Sequence, residues 1–354
     1  MPDLLDKTEA TTVHQADAAV YAVISRTTTP ADRWIQPGNF HKARTGNDNL
    51  GMFVSLASAI SSIGVSQATL EIPATTTVSA SLTIPSNVTL HLMGTGQISV
   101  ASGQTLTING PIVAPLRQVF TGTGTVKFGG RIGTSYPEWF GAAADNTTDD
   151  QAAIQKAIDA FKDTGVEHHP GVVELTGGYA VGSTLLITGN SVTLRGNGWG
   201  VQNDAPYRGF VRWIGSAGTP LIKITECWMS GVENLRLIGK SSAKPSAAIE
   251  LNSQNVSHGL DFSFVRKVHI GPMFGYDTDD AVQFDAGILV SGSVDGDTNT
   301  YDHINIIKCT TGVDIQNANA SVSHWNTVTI GHCTTGFKSV TYSVGTNWFF
   351  AGNT

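Results

Sequence analysis

Apolar and polar residues alternate along most of the chain with a period of two, the spacing typical of β-strands with one buried face. Between residues 69 and 132 the alternating segments are only three to five residues long, and Pro, Gly, Ser and Asn separate them; they are residues 70–72, 82–84, 88–92, 98–100, 106–108 and 126–128. Strands so short and so regular predict a coil in which each turn stacks on the previous one, rather than a sandwich.

From Gly171 onward the strand pattern continues, and an internal repeat can be counted. Residues 302–313 align with residues 326–337 at an offset of 24, with five of the twelve pairs identical, among them a cysteine pair and a glycine pair. Two short strands and a turn glycine per unit are what one turn of a parallel β-helix requires. We call such a turn a rung; each rung needs neighbours to bury its inward side chains.

Two segments show helical periodicity instead. Residues 52–63 repeat apolar side chains every three or four positions, and Gly64 follows where a helix-ending glycine is expected. Residues 149–162 predict a second helix, which would cap an exposed strand edge. The chain then divides into a small mixed α/β head, a short β-coil or neck, and a long β-coil, at residues 1–64, 65–135 and 136–354. The head is too small for a large core of its own, so we expect it to pack on copies of itself or on a partner.

Composition narrows the classes of function. Hydrophobic residues make up 40% of the chain, charged residues 14%, and the formal net charge is −7. Normal hydrophobicity with low charge argues against disorder, and the negative balance argues against a protein that binds nucleic acid through Lys and Arg. No apolar run approaches the roughly 18 residues of a membrane-spanning helix, and the N-terminus lacks the pattern of a signal peptide. We therefore expect no membrane insertion.

The three cysteines are Cys227, Cys309 and Cys333, and their spacing is that of neither a disulfide framework nor a zinc site. Cys309 and Cys333 share one phase of the repeat, so they should stack one rung apart, within the Cα range of a disulfide. Two small core side chains in a ladder is the favoured interpretation, and a disulfide is the alternative. Residues 295–299 resemble a calcium loop, but Ile306 stands where the closing Glu would be needed. The sequence predicts no cofactor and no metal.

Two motifs carry a resemblance to a known superfamily. They are Tyr136-Pro137-Glu138-Trp139-Phe140-Gly141 and Thr148-Asp149-Asp150-Gln151-Ala152-Ala153-Ile154-Gln155. Together they resemble the pectate-lyase-like right-handed β-helix superfamily. The fold that this resemblance implies is all-β, a right-handed parallel β-helix (solenoid) with a small mixed α/β N-terminal head.

The segments before these motifs narrow the resemblance to bacteriophage tail fibres and tailspikes. Residues 82–90 and 106–112 form a short β-coil ahead of the motifs, and residues 33–40 look like part of the module by which such fibres join the virion. The resemblance implies a homotrimer in the phage tail, assembled in the host cytoplasm and attached to a tail or baseplate protein through residues 1–64. The implied function is adsorption to host surface polysaccharide.

Tailspikes of this fold often cleave the polysaccharide, so a depolymerase, either a glycoside hydrolase or a lyase, is the alternative function. Hydrolysis of a glycosidic bond needs two carboxyl groups ~5–9.5 Å apart. The candidates are Asp279, Asp280 and Asp285, in the insertion between Ile270 and Gly287, where turn composition also accounts for acidic residues. The pectin-cleaving signatures Gly-His-Gly and Asn-Thr-Asp are not evident, so enzymatic activity stays open. A free bacterial pectate-lyase-like enzyme is disfavoured by the virion-like head.

Aromatic and basic residues in the segment 196–218 form the predicted substrate-binding set. Flat rings stack on sugar faces, and arginine pairs with acidic sugar groups. The set consists of Trp199, Arg208, Arg212 and Trp213. The alternative interpretation is that the tryptophans pack at rung corners or between the subunits of a trimer.

Overall fold

The computed structural model describes residues 47–49, 53, 55–130, 132–162, 170–198, 209–254, 259–272, 281–294, 296, 298–317 and 323–339. The chain forms two compact units, divided between Ile132 and Gly133. Each consists predominantly of parallel β-sheet with few helices. The predicted head, residues 1–64, lies largely outside the described residues.

The described part of the first unit holds one α-helix and ten strands. The helix, α1, spans Leu56–Ile63; the strands are β1 (Asn47–Asn49), β2 (Ala68–Ile72), β3 (Thr76–Val78), β4 (Leu82–Ile84), β5 (Val88–Leu92), β6 (Ile98–Val100), β7 (Thr105–Ile108), β8 (Ile112–Val113), β9 (Phe120–Gly122) and β10 (Thr125–Phe128). All six strands predicted for this stretch of sequence are present. The helix predicted over residues 52–63 begins after Ser55, whose side chain accepts a hydrogen bond from the Ser58 N–H, and it ends at Gly64 as expected.

The strands of the first unit visit three sheets in turn. Their orders are β1-β2-β5-β8, β3-β6-β9 and β4-β7-β10, and every pair is parallel. Leu70 pairs with Leu90, which pairs with Ile112, so like residues stack on one another. Leu70 and Leu90 are both 0% exposed. Burial of such apolar ladders, worth about 25 cal/mol per Å², is the main source of stability here.

The second unit holds sixteen described strands, one α-helix and two short 3-10 helices. The helix α2 spans Gln151–Asp159, and the 3-10 helices span Pro137–Phe140 and Ser241–Ala243. The strands are β11 (Thr134–Ser135), β12 (Asp145–Asp149), β13 (Gly171–Leu175), β14 (Gly178–Val181), β15 (Leu185–Ile187), β16 (Val192–Gly196), β17 (Phe210–Trp213), β18 (Ile222–Thr225), β19 (Gly231–Ile238), β20 (Ala247–Ser253), β21 (Phe264–Ile270), β22 (Phe284–Gly292), β23 (Thr300–Ile307), β24 (Cys309–Ile315), β25 (His324–Gly331) and β26 (Thr335–Ser339).

These strands form a ten-stranded and a six-stranded parallel sheet. From β19 to β26, successive strands alternate strictly between the two sheets, which is the arrangement of a stacked coil. The predicted offset of 24 residues is confirmed by the register, because Asp302 pairs with Asn326 and Thr311 with Thr335. The first part of β19 pairs with β16 and its last part pairs with β17. One long strand therefore lies beside two shorter strands of the preceding rung.

The repeat glycines do not mark turns as predicted. Gly312 lies inside β24 and Gly336 inside β26. A Cβ atom at Gly312 would lie 2.5 Å from Cγ2 of Ile330, and one at Gly287 would lie 2.5 Å from Cγ2 of Ile306. The turn assignment was wrong because these positions lack side chains for a packing reason: each isoleucine fills the space that a glycine leaves.

The corners of the coil are formed by residues with positive φ inside long strands. Asn234, Lys267, His303 and Thr327 have φ values of 53°, 51°, 53° and 54°. They occupy one position in β19, β21, β23 and β25, as the flanking register pairs show. L-residues seldom adopt this region, so the stacking of four such bends indicates that the coil imposes the conformation.

The helix α2 covers a strand edge, as predicted, although it is shorter than the predicted 149–162. Its buried residues are Ala153, Ile154, Ala157 and Ile158. The amide of Gln155 donates to the Leu186 carbonyl and accepts from the Leu186 N–H, both at 2.8 Å. Because Leu186 lies on β15, the first strand of the six-stranded sheet, one side chain satisfies backbone groups at an open edge.

Candidate functional site

The predicted acidic residues are only partly within the described residues. Asp279 and Asp280 lie outside them. Asp285 is exposed on β22, and its carboxylate lies 3.1 Å from Nζ of Lys244. Exposed ion pairs of this kind contribute little stability, and a single carboxylate held by a lysine makes no acid–base pair. The catalytic role of these three residues stays a prediction.

The predicted sugar-binding residues divide into two groups. Trp199 and Arg208 lie outside the described residues. Arg212 faces outward from β17, where its Nε donates to Oδ1 of Asn146 at 2.9 Å. Trp213 is 1% exposed, so the prediction that its ring stacks on a sugar is wrong. Successive side chains of a strand point to opposite faces of the sheet, so Trp213 points into the core while its neighbour Arg212 points to solvent.

A group of exposed rings lies instead on the corner between the β18–β19 and β20–β21 connections. Trp228 is 39% exposed, Met229 47% and Phe262 63%. Phe264 and Arg266 follow on the outward positions of β21. We call these five residues the aromatic corner. Exposed apolar side chains of this size on adjacent rungs make the aromatic corner a candidate binding surface.

The backbone beneath the aromatic corner is held by hydrogen bonds to neighbouring rungs. The Trp228 N–H donates to Oδ1 of Asn190 at 2.8 Å, and the Met229 N–H donates to the Asp261 carbonyl at 3.1 Å. Met229 and Phe262 both have φ 54° and stack on adjacent rungs. Rings presented by a fixed backbone lose little conformational freedom when a ligand binds.

Arg266 supplies the aromatic corner with a positive charge. Its Cζ lies 4.5 Å from the centre of the Phe264 ring, a cation–π distance. Gly231 is the neighbour of Phe264 on β19, and a Cβ there would lie 2.7 Å from a ring carbon, so the glycine leaves room for the ring. Within the part of the chain that the structure describes, no carboxylate reaches ion-pair distance of Arg266.

A ladder of alternating charge runs along the outward face of the ten-stranded sheet. Each rung contributes one charged residue to this ladder, and each residue pairs with the next in the strand register. The order is Glu174, Arg195, Glu233, Arg266 and Asp302. Arg195 lies 2.8 Å from the Glu174 carboxylate and 3.6 Å from that of Glu233, and the hydrogen bond that it donates to Glu174 raises the pKa of its guanidinium. The charge of Arg195 is therefore paired with two glutamates, whereas the charge of Arg266 lies at the aromatic corner.

A second polar network, missed by the sequence analysis, lies on the six-stranded sheet. Glu250 is 8% exposed. Its Oε1 accepts hydrogen bonds from Oγ of Ser291 at 2.6 Å and from Nδ2 of Asn252 at 3.2 Å, and it lies 3.6 Å from Nζ of Lys223. These contacts join β18, β20 and β22 through one nearly buried carboxylate, so its role in the structure is to connect neighbouring strands. The register of the repeats was the signal that could have found it.

The acidic motif at residues 148–150 also has a structural role. The Asp150 carboxylate accepts the N–H groups of Ala143 and Ala144 at 2.7 and 3.0 Å, and burial raises its pKa. Asp149 accepts the Gly182 N–H at 3.0 Å. These bonds close the loop that leads into α2, so the motif has a structural role at this point of the chain.

Glu138 of the other motif holds two hydroxyl groups. Its Oε1 accepts hydrogen bonds from Oγ1 of Thr176 and from the hydroxyl of Tyr179, each at 2.7 Å. Tyr179 is 0% exposed, and burial together with the nearby carboxylate raises the pKa of its phenol. The glutamate therefore fixes the 3-10 helix Pro137–Phe140 to β14.

A polar cleft of about 280 Å³ lies in the first unit. It is lined by Gln67, Ala68, Thr69, Ser86, Asn87, Thr89 and Pro111. Two carbonyls already bind the Asn87 amide, and the lining contains no aromatic ring and no charge. It is a weaker candidate than the aromatic corner for that reason.

Among the described residues, no group of three His, Cys, Asp or Glu side chains is placed to hold a metal ion. No helix in the same residues is long and apolar enough to cross a membrane.

Comparisons with known proteins give distant structural matches only. No family model and no curated protein matches the chain. Among solved structures, a candidate glycosyl hydrolase from Parabacteroides merdae is 14% identical with a TM-score of 0.35, over 56% of this chain and 95% of that one. ORF18 of Geobacillus virus E2 is 14% identical with a TM-score of 0.30, over 55% of this chain and 48% of that one. Matches at this level assign no activity to the chain.

Proposed function

We propose that the chain is a structural protein of a phage tail fibre or tailspike that adsorbs to host surface polysaccharide through the aromatic corner. In this proposal it is a homotrimer of right-handed parallel β-helices, located in the virion. Residues 1–64 join it to a tail or baseplate protein.

The observation that carries the binding role is the exposure of Trp228 and Phe262 on adjacent rungs of a rigid coil. Rungs repeat at about 4.8 Å, so two exposed rings on adjacent rungs are close enough to contact the apolar faces of neighbouring sugars in one chain. Arg266 adds a guanidinium that can pair with a carboxylate or phosphate group of the glycan. A neutral or acidic bacterial polysaccharide is therefore the class of ligand that fits this surface.

The right-handed β-helix and the trimer are supported by different observations. Strands that visit three sheets in turn, all in parallel pairs, support a coil of β-helix type. The motifs at residues 136–141 and 148–155 resemble those of the superfamily in which that coil is right-handed. The trimer and the virion location rest on the resemblance to tail fibres.

The binding role and the depolymerase alternative are separated by one assay. The full chain is incubated with a panel of bacterial capsular polysaccharides and lipopolysaccharides, and bound glycan, released reducing ends and unsaturated uronate absorbance are followed together. Binding without release is the expected result. Release of oligosaccharide would establish a depolymerase, and no binding to any glycan would overturn the proposed function.

The proposed assembly is tested separately. Light scattering of the purified chain should give three times the mass of the monomer. A monomer mass would contradict a trimer held by the residues of this chain.

A further inference from the structure

Two cysteines of successive repeats lie against each other near the end of the described coil. The pairing of Thr311 with Thr335 places Cys309, the first residue of β24, beside Cys333, two residues before β26, and the Thr334 N–H donates to the Cys309 carbonyl at 3.4 Å. Neighbouring strands lie about 4.8 Å apart, and a disulfide needs Cα atoms about 4.4–6.8 Å apart. The backbone is therefore already within bonding range.

The two side chains are free thiols, and each donates to a backbone carbonyl two residues before it: Sγ of Cys309 to Ile307 at 3.6 Å and Sγ of Cys333 to Gly331 at 3.4 Å. Cys309 is 0% exposed, whereas Cys333 is half-buried and open to small molecules. The contact with Cys309 lowers the pKa of Cys333 to about 7, and the same contact with burial raises that of Cys309. The accessible thiol of the pair is thus the one that ionises more easily, which is the division between an attacking and a resolving cysteine.

The third cysteine provides an internal comparison. Cys227 is 1% exposed, and burial raises its pKa to about 12. Its thiol donates to the Ile187 carbonyl at 3.9 Å, so it has a structural contact. A buried thiol of this kind is inert, and Cys227 is the matched control for the pair.

We propose that Cys309 and Cys333 form a redox-active dithiol that a low-molecular-weight disulfide oxidises to an inter-rung disulfide. The Cys333 thiolate attacks one sulfur of the small disulfide, which forms a mixed disulfide and releases one small thiolate. The Cys309 thiol then loses its proton to solvent and attacks the Cys333 sulfur, which releases the second small thiolate. Two protein thiols are oxidised and one small disulfide is reduced, so atoms and electrons balance. The new bond ties the segment immediately before β26 to the first residue of β24.

The test uses oxidised glutathione and the full chain at neutral pH. Free thiols are counted in denaturant, and the intact mass and a non-reducing peptide map are recorded. The chain should lose two thiols, gain no glutathione, lose the mass of two hydrogens and yield one cross-linked peptide pair that contains Cys309 and Cys333. This oxidation should be at least about tenfold faster than modification of Cys227.

Three variants make the outcome unambiguous. Cys227→Ser should form the disulfide as the parent chain does. Cys309→Ser should stop at a glutathione adduct on Cys333, and Cys333→Ser should stay reduced. A parent chain that keeps three thiols, or that accumulates the adduct on Cys333 without closing the disulfide, would overturn the proposal. Neither result depends on glycan binding, so the proposed function is tested independently.

Discussion

Two glycines of the repeat provide a matched pair for testing how the coil packs. Gly312 and Gly336 occupy the same position in successive rungs. A Cβ at Gly312 would lie 2.5 Å from the Gly336 carbonyl oxygen and 2.5 Å from Cγ2 of Ile330. A Cβ at Gly336 would meet no atom of the described residues within 4 Å. Neither glycine has positive φ, so alanine fits both backbones and only the space differs.

Gly312→Ala should therefore lower the free energy of unfolding by about 1–3 kcal/mol, the usual cost of overpacking a core. Gly336→Ala should leave it unchanged or raise it by about 0.4–1 kcal/mol, because alanine restricts the unfolded chain. Urea unfolding followed by circular dichroism measures both values. Equal destabilisation by the two variants, or a larger loss for Gly336→Ala, would refute the packing argument.

Further predictions concern the two motifs. Glu138→Ala should cost about 1–3 kcal/mol of unfolding free energy, because the buried Tyr179 hydroxyl loses its acceptor, and Glu138→Gln should cost less; urea unfolding of both variants checks this. Burial raises the pKa of Asp150 above its unfolded value, so its contribution to stability is full below the unfolded pKa and lost as pH rises through the folded pKa. Relative to Asp150→Asn, the parent chain should lose stability from acidic to neutral pH; the opposite slope would contradict the assignment.

The strand pattern and the register of the coil could be predicted from the sequence. Period-two alternation located six of the ten described strands of the first unit, and the offset of 24 residues located the pairing of Asp302 with Asn326. These predictions succeeded because inward positions must be apolar in every rung, so the same spacing of apolar residues recurs along the sequence. The packing role of Gly312 was not predictable from composition. Glycine occurs in turns because of its backbone freedom and beside large side chains because it leaves space, and composition does not distinguish the two.

The bends were also missed for a physical reason. Lys267 and Thr327 have positive φ, a conformation that neither residue type favours by itself. The stacked rungs impose the bend, so local propensity carries no signal. Gly64, in contrast, followed a helix and was predicted correctly because helix termination depends on local backbone freedom.

The aromatic corner has the kinds of side chain that the sequence analysis expected, but none of the four predicted residues belongs to it. Aromatic rings and arginine were expected, yet Trp213 is buried, and alternation with outward-facing Arg212 was the signal for this. The exposure of Phe262 depends on a bend with positive φ that stacks on another bend, at Met229. Such a surface becomes visible only when the register of the rungs is known.

The central claim is that the aromatic corner binds polysaccharide, and one measurement tests it most directly. The affinity for a bound capsular polysaccharide or lipopolysaccharide is compared among the parent chain, the double variant Trp228→Ala with Phe262→Ala, and Leu116→Ser. Leu116 is 56% exposed in the first unit and serves as the control for loss of an exposed apolar side chain. The double variant should bind at least about tenfold more weakly, a loss of about 1.4 kcal/mol. The control should bind as the parent does. Parent-like affinity in the double variant would contradict the claim.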